Sequence, residues 1–326
     1  MNRQTSYAET YQNLFQTTPP TTVEWETSQA DILSAGRGFM DGFDYTMQLQ
    51  VGCPGGCLFC YVPAGARLTP RAIRGARGEQ WGFQVRNKTN VSAKVQKHLQ
   101  KGTLADKTIY WSGITDPYAA PPTVTRELWT TLLQAPAQLR PRRIVIQTRF
   151  RPDRDVELIA EYATTTVAGD GGPAVLVSYS IGTDNNELIA AWERATPLFE
   201  QRLDAIQTLR GANVFVVATL SPLGLWHDLA GTLTHFRNWG VAYLTILFLK
   251  EGTASANTPS HFLAYVREQY PNLLDPVWQA EQLQVMQAIY GEQLVLVGQE
   301  GFQSLTKPQL VLANSLADCK SEHDQH

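Results

Sequence analysis

Six short apolar segments, separated by segments with helical periodicity, constrain the fold of this 326-residue chain more than any other feature. They are rich in β-branched and aromatic residues, which is typical of strands. These predicted strands lie at residues 45–51, 108–112, 144–147, 175–181, 214–220 and 242–249. Helices are predicted between them at residues 91–101, 124–134, 155–163, 198–209 and 229–239.

Repeated β-then-α units predict parallel strands joined by right-handed crossovers. The strands are apolar along their length, which indicates that both faces of the sheet are covered. Both a doubly wound sheet and a full or partial (β/α) barrel satisfy this α/β pattern. In a barrel, functional loops follow the carboxyl ends of strands, and the residues of chemical interest in this chain also follow strands.

The predicted units occupy residues 44–255 and leave a segment at each end. Residues 1–43 are rich in Ser, Thr, Pro and Gly, which predicts an extended N-terminal lead-in. The pattern weakens after residue 255. We expect residues 256–326 to form a C-terminal extension with a helix at 276–290, a short strand at 294–297 and a polar, frayed tail from Ala317.

Composition excludes several classes of protein. Hydrophobic residues make up 43% of the chain, so it can bury a core and is not wholly disordered. The net charge of −3 excludes a globally basic nucleic-acid-binding protein but allows a local basic surface. The longest apolar run, residues 241–249, is too short to span a bilayer, and residues 1–15 lack a signal-peptide core. We therefore expect a cytoplasmic protein without membrane contact.

Three of the four cysteines lie within eight residues, directly after the first predicted strand. Cys53, Cys57 and Cys60 have Cys-x3-Cys-x2-Cys spacing, whereas Cys319 lies in the polar tail. The proline and two glycines between the first two cysteines permit a tight loop, so three thiolates can converge on one metal centre. Soft thiolate ligands select zinc or iron–sulfur clusters.

The number of cysteines bears on the choice of metal. A closed zinc site needs four ligands, usually two Cys-x2-Cys pairs, and no second pair occurs, so a distant histidine would have to complete it. A ferredoxin-type cluster needs a fourth cysteine nearby. Three ligands on a four-iron cluster would leave one iron open for a substrate or cofactor. Three structural cysteines without a metal are the remaining alternative.

This cysteine spacing, with the aromatic Phe59 before the third cysteine, resembles the signature of the radical S-adenosylmethionine (SAM) enzymes. In that family three cysteines hold a [4Fe–4S] cluster, and its open iron binds SAM. Reduction then cleaves SAM to a 5′-deoxyadenosyl radical, which abstracts hydrogen from a substrate. The resemblance implies that Cys53, Cys57 and Cys60 hold the cluster, that Phe59 lies at the cofactor, and that an electron donor is a partner. It also implies a full or partial (β/α) barrel.

Residues 45–250 resemble, more narrowly, the spore photoproduct lyase-like (DNA repair photolyase-like) proteins. The matching stretches are Ser-Gly-Ile-Thr-Asp-Pro-Tyr at 112–118, Gln-Thr-Arg at 147–149 with Arg-Asp at 154–155, Val-Ser-Tyr-Ser-Ile at 177–181, Arg-Leu-Asp-Ala-Ile at 202–206 and Leu-Ser-Pro-Leu at 220–223. This resemblance implies a nucleic-acid or nucleotide substrate.

The same resemblance points to SAM-binding residues after the second strand. Ser112, Thr115 and Asp116 are expected near the methionine end of SAM, where hydroxyls and a carboxylate would meet its amino group. The alternative for Thr115 and Asp116, which precede Pro117, is ordinary turn chemistry.

Further SAM contacts are expected at the next two strands. Arg149 stands where many relatives have lysine, and its guanidinium would pair with the carboxylate of SAM. Ser178 and Ser180 alternate along a strand, so both point to one face. If that face is the barrel interior, either serine would bond the ribose or the methionine of SAM. The alternative is a hydroxyl that satisfies its own backbone.

A basic segment follows the cysteine loop. Between residues 67 and 101 one acidic residue, Glu79, accompanies nine cations: Arg67, Arg71, Arg74, Arg77, Arg86, Lys88, Lys94, Lys97 and Lys101. With Trp81 and Phe83 among them, these cations suit a phosphate-bearing or nucleic-acid partner. The alternative is a solvated helix face, since the last three lysines recur at helical spacing.

One feature of the founding spore photoproduct lyases is missing. In those enzymes a cysteine just beyond the second strand returns a hydrogen atom to the substrate radical, and residues 111–117 contain no cysteine. We therefore predict another reaction or another lesion, with Tyr110, Tyr118 and Cys319 as alternative hydrogen donors. Two other functions stay open: an iron–sulfur or zinc module that binds nucleic acid without catalysis, and a radical SAM enzyme that modifies a protein.

Overall fold

The computed structural model describes residues 21–64, 73, 80–111, 113–249 and 258–323, with side chains up to residue 315. Its strands are β1 (Thr22–Glu26), β2 (Leu33–Ala35), β3 (Tyr45–Met47), β4 (Gln50–Val51), β5 (Gln84–Lys88), β6 (Thr108–Trp111), β7 (Arg143–Thr148), β8 (Val175–Ser180), β9 (Phe215–Leu220), β10 (Leu244–Ile246) and β11 (Val295–Val297). Its helices are α1 (Val91–Gln100), α2 (Pro122–Gln134), α3 (Val156–Thr165), α4 (Asn186–Trp192), α5 (Phe199–Gly211), α6 (Leu229–Asn238), α7 (Ser260–Gln269), α8 (Pro276–Tyr290), α9 (Gly298–Ser304) and α10 (Pro308–His323).

Eight strands form one sheet in the order β11-β10-β9-β8-β7-β6-β3-β2. Neighbouring strands are parallel except at the edge, where β2 is antiparallel to β3. Strands β3 and β6 to β10 therefore follow one another in chain order, whereas a doubly wound sheet reverses its order at a switch point. In the part of the chain that the structure describes, β2 and β11 do not pair, so the sheet is an open, partial (β/α) barrel rather than a full one.

The two faces of this sheet pack against different layers. Helices α1, α2, α3, α5, α6 and α8 cover the outer face and bury side chains such as Trp111 and Ile146. The inner face is apolar towards the amino ends of the strands, where Val145, Leu176 and Val217 pack against residues that include Phe302 of α9. Covering both faces explains why the strands are apolar along their length. Towards their carboxyl ends, the inward-facing side chains are polar: Gln147, Ser178, Ser180, Thr219 and Thr245.

The first predicted strand, residues 45–51, is two strands. Strand β3 joins the barrel, but β4 pairs antiparallel with β5 in a separate sheet of order β1-β5-β4. Gly52 follows β4 with φ +82°, and a Cβ there would lie 2.4 Å from the carbonyl oxygen of Gln84. The chain therefore leaves the barrel sheet before it reaches the cysteines. Only glycine fits at position 52, because any Cβ there would clash with the backbone of Gln84.

The two terminal segments contain more regular structure than expected. The lead-in, predicted to be an extended segment, contributes β1 to the small sheet and β2 to the barrel edge. Strand β5 escaped prediction because Arg86 and Lys88 interrupt its apolar pattern. The residues from Ala317, predicted to form a polar, frayed tail, continue α10 as far as His323. No helix among the described residues is long and apolar enough to cross a membrane.

A buried arginine at the amino end of the barrel connects a half-buried aspartate with the C-terminal extension. Arg143, the first residue of β7, is wholly buried; its Nη2 lies 2.7 Å from Oδ1 of Asp170, and its Nη1 donates to the carbonyl oxygen of Thr306 at 2.7 Å. Burial alone would raise the pKa of Asp170, but the hydrogen bond and charge of Arg143 hold it below its usual value.

Replacing Asp170→Asn should therefore lower the free energy of unfolding by roughly 1–3 kcal/mol at neutral pH, because it removes a charged hydrogen-bond partner of a buried arginine. A carboxylate whose pKa is lower in the folded state stabilises the fold above its unfolded pKa and loses this effect as pH falls. The difference between wild type and variant, measured by urea denaturation, should shrink as pH falls below 3.8. A difference independent of pH would contradict this assignment.

Candidate functional site

The three predicted metal-ligating cysteines lie together at the carboxyl ends of the barrel strands. Cys53, Cys57 and Cys60 line one cavity of about 400 Å³, and none of them is in a disulfide. Residues directly beyond β6, β7 and β9 line the same cavity. Loops at the carboxyl ends of parallel strands meet at one rim, so strand order alone brings these distant segments together.

Glycines give the cysteine loop its shape. A Cβ on Gly55 would lie 3.4 Å from the sulfur of Cys53 and 3.7 Å from that of Cys57, so this residue separates two of the thiols. Gly56, with φ +55°, meets Gly82, where a Cβ would lie 2.7 Å from the Gly56 Cα. The loop therefore rests backbone to backbone against the turn before β5, a contact that a larger residue would break.

Burial dominates the chemistry of the three thiols. It raises the pKa of Cys53 to about 12 and that of Cys60 to about 11, and it raises the pKa of Cys57 well above its usual value. Hydrogen bonds act in the opposite direction: the backbone of Asp116 bonds the Cys53 sulfur, and the Trp81 side chain bonds that of Cys60. Without a metal these thiols hold their protons at neutral pH, and metal binding would displace them.

The carboxylate of Asp116 ties the loop after β6 to the end of β7. It accepts hydrogen bonds from Thr148 Oγ1 at 2.6 Å, from the backbone nitrogen of Arg149 at 2.7 Å and from that of Tyr118 at 3.0 Å. Burial raises its pKa, against the effect of these hydrogen bonds. Thr115 is also buried, and its hydroxyl donates to Gln48 Oε1 at 3.1 Å. Both predicted residues line the cavity, whereas Ser112 lies outside the described residues.

Arg149 follows β7 and enters the cavity beside the cysteine loop. Its guanidinium carbon lies 4.6 Å from the centre of the Phe59 ring. Its Nη1 lies 3.1 Å from Glu193 Oε1, and its Nη2 donates to the carbonyl oxygen of Ser221 at 2.6 Å. Although burial opposes its charge, Glu193 holds the pKa of Arg149 above its usual value.

Two charged residues connected to Arg149 were not predicted to belong to the site. Glu193, just beyond α4, is buried and also pairs with Arg202, whose Nη2 lies 2.6 Å from its Oε2. Arg202 lies on α5, and its side chain is wholly buried. Its partners explain this burial, because besides pairing with Glu193 it donates to the hydroxyl of Thr196 at 2.7 Å and to the carbonyl oxygen of Pro197 at 2.8 Å.

Ser178 and Ser180 both face the barrel interior, but only Ser180 lines the cavity. Gln147 Nε2 lies 3.4 Å from Ser180 Oγ. Ser178 lies deeper, where its Oγ is 2.5 Å from Thr219 Oγ1, which in turn lies 2.7 Å from Thr245 Oγ1. The hydroxyl groups are thus satisfied across strands rather than by their own backbone.

The two tyrosines considered as hydrogen donors occupy different layers. Tyr110 lines the cavity, and its hydroxyl donates to Gln147 Oε1 at 2.6 Å. Tyr118 is buried in the outer core, where its hydroxyl accepts from the Trp129 indole at 2.9 Å. Tyr61, next to the third cysteine, also lines the cavity and donates to the carbonyl oxygen of Gly113 at 2.6 Å.

Several cations of the basic segment have partners within the protein. Arg86 pairs with Glu24 at 3.3 Å and with Glu26 at 3.7 Å. Lys88 is buried and donates to the carbonyl oxygen of Gln48, and Lys94 donates to that of Ala30. The four arginines between residues 67 and 77 lie outside the described residues. A polyanion-binding surface in this segment therefore stays a prediction.

The fold of this chain is similar to that of proteins of known structure. No protein-family model and no curated protein matches this chain. A solved structure of spore photoproduct lyase complexed with dinucleoside spore photoproduct has a TM-score of 0.51 at 15% identity, covering 91% of this chain and 87% of that one. A variant of spore photoproduct lyase with bound AdoMet and the same dinucleoside has a TM-score of 0.50 at 14% identity, covering 90% and 94%.

The chain therefore has the fold of spore photoproduct lyase, here an open, partial barrel with the cysteine loop at its mouth. At this level of identity the likeness concerns the fold. The described side chains include no group of three His, Cys, Asp or Glu arranged to hold a single metal ion.

The contact between Gly56 and Gly82 can be tested with a matched glycine. Gly82→Ala and Gly102→Ala both force alanine into positive φ, at a cost of roughly 1–2 kcal/mol, but a Cβ on Gly102 meets nothing within 4 Å. Gly82→Ala should therefore destabilise the protein more in urea denaturation. In a Cys319→Ser background it should also speed modification of the loop thiols by Ellman's reagent. Equal effects of the two substitutions would show that the backbone contact does not shape the loop.

Proposed function

We propose that this protein is a radical SAM enzyme that generates a 5′-deoxyadenosyl radical and abstracts hydrogen from a substrate. The observation that supports this most directly is the position of three thiols, one buried and two half-buried, on one glycine-rich loop at the carboxyl-end mouth of an open parallel barrel. The likeness of the fold to spore photoproduct lyase supports the same class.

The residues present suit a [4Fe–4S] cluster with one open iron. Cys53, Cys57 and Cys60 would be its ligands, and the cavity beside them leaves room for SAM. The backbone of Asp116 and the side chain of Trp81 supply hydrogen bonds to cysteine sulfurs, which is typical of cluster surroundings. When bound, the cluster would supply the electron that cleaves SAM.

The surrounding side chains would bind and orient SAM. We assign Arg149 to the carboxylate of SAM, since it lines the cavity and its guanidinium lies over the ring of Phe59 in the cysteine loop. Thr115 and Asp116 would lie at the amino group of SAM, together with Ser112. Ser180 suits a ribose or methionine contact better than Ser178, because Ser178 is bonded to Thr219 below the cavity.

We propose a nucleic acid or nucleotide as the substrate, because the solved structure with this fold holds dinucleoside spore photoproduct. The arginines between residues 67 and 77 would carry the affinity for phosphate. A protein substrate is the alternative within the same chemistry. A metal-binding module without catalysis is the alternative to a radical SAM enzyme.

Anaerobic reconstitution tests the proposed cluster. The wild-type protein should take up about four irons and four sulfides and, once reduced, should release 5′-deoxyadenosine from SAM. Alanine at Cys53, Cys57 or Cys60 should abolish the cluster, whereas Cys319→Ala should keep it. A colourless protein with one zinc per chain would identify a zinc module instead, and a cluster without SAM cleavage would identify a non-catalytic protein.

The reduced enzyme should not reverse dinucleotide spore photoproduct to two thymines over multiple turnovers. The loop after β6 offers no thiol to return the hydrogen atom, and the cysteines near the cavity are assigned to the cluster. Product analysis by liquid chromatography with SAM and dithionite measures this. Clean reversal would contradict the prediction, and Tyr110→Phe compared with Tyr118→Phe would then test the tyrosine that lines the cavity against one that does not.

A further inference from the structure

We propose that Glu193 is a positioning residue that holds the Arg149 guanidinium beside the cluster-binding loop and sets the net charge that the cluster experiences. The inference rests on the proposed cluster but concerns a residue outside the cavity. Glu193 does not line that cavity, and it reaches the site through Arg149.

The carboxylate of Glu193 is shared between two arginines. Its Oε1 lies 3.1 Å from Arg149 Nη1, and its Oε2 lies 2.6 Å from Arg202 Nη2 and 2.8 Å from Thr196 Oγ1. Its side chain is 3% exposed, so water contributes little to its solvation. Because both oxygens of this buried carboxylate accept hydrogen bonds, its orientation is fixed. Its ion pair with Arg149 then fixes the position of that guanidinium.

Arg149 is held on its other sides by the cysteine loop and by the end of β9. Its guanidinium lies over the ring of Phe59, a residue that stands between the second and third cysteines in the sequence. Its Nη2 donates to the carbonyl oxygen of Ser221. Its backbone nitrogen donates to Asp116. The charges of both Arg149 and Glu193 act on Cys57, with opposite sign.

Because Arg149 and Glu193 carry opposite charges, removing one charge should shift the reduction potential of the cluster in the opposite direction to removing the other. A cluster gains negative charge on reduction, so a nearby cation raises its reduction potential and a nearby anion lowers it. Glu193→Gln keeps the shape of the side chain but leaves two buried cations with less compensation, which should shift the potential upwards. Arg149→Gln should shift it downwards. The double variant restores the charge balance and should return close to the wild-type value.

The same strand offers a matched control. Arg143 at the start of β7 pairs with Asp170 much as Arg149, just past its end, pairs with Glu193. The two arginines are six positions apart, or roughly 20 Å along an extended strand, so Asp170→Asn removes an equivalent charge far from the cysteines. It should lower stability and leave the cluster potential unchanged.

The experiment is an anaerobic redox titration of the reconstituted holoenzyme and its variants, followed by electron paramagnetic resonance of the reduced cluster. Opposite shifts for Glu193→Gln and Arg149→Gln, near-cancellation in the double variant and no shift for Asp170→Asn would support the proposal. Glu193→Asp, which retains the charge, should stay close to wild type. If Glu193→Gln does not fold, the comparison of Arg149→Gln with Arg149→Lys decides, because only the glutamine should lower the potential.

Two failures are distinguishable. If the wild-type protein takes up no cluster, the proposed function fails and this inference falls with it. If every protein takes up the cluster but the two glutamine variants shift the potential in the same direction, or not at all, the proposed function stands. Glu193 would then be an ordinary structural ion-pair partner.

Discussion

The buried carboxylate of Asp116 is the interaction on which the site depends. Its oxygens hold the hydroxyl of Thr148 and the backbone nitrogens of Arg149 and Tyr118, while its own backbone bonds the sulfur of Cys53. One residue thus connects the ends of β6 and β7 with the cysteine loop. Because the group is buried, its hydrogen bonds cannot be exchanged for water without a large cost. Asp116 therefore stabilises the turn that follows it and also belongs to the candidate site.

The interior of the barrel divides into two layers along the strands. Near the amino ends, Phe302 and its apolar neighbours fill the space, and the Arg143–Asp170 pair closes the floor. Near the carboxyl ends, Tyr110, Gln147 and Ser180 bring hydroxyl and amide groups to the cavity. The apolar layer supplies a rigid base, and the polar layer supplies groups that can orient a ligand.

Charge in the site is arranged around the cysteine loop. Glu193 lies between Arg149 and Arg202, and Asp116 lies on the other side of Arg149. These four charges nearly cancel, so burying them together is feasible where burying any one alone would not be. A reducible cluster in such surroundings would respond to any single change of charge, which links the ion pairs of the scaffold to the proposed redox chemistry.

Local pattern in the sequence was sufficient to predict six strands of the barrel, their parallel direction and the cysteine loop, because apolar runs, helical periodicity and cysteine spacing are short-range features. Tertiary structure decided the rest. It showed an open barrel, divided residues 45–51 between two sheets, buried Arg202 and placed Ser178 below the cavity. It also showed that Glu193 pairs with one arginine 44 positions before it and with another nine positions after it. These ion pairs join segments that come together only in the folded protein, so no periodicity in the sequence could have predicted them.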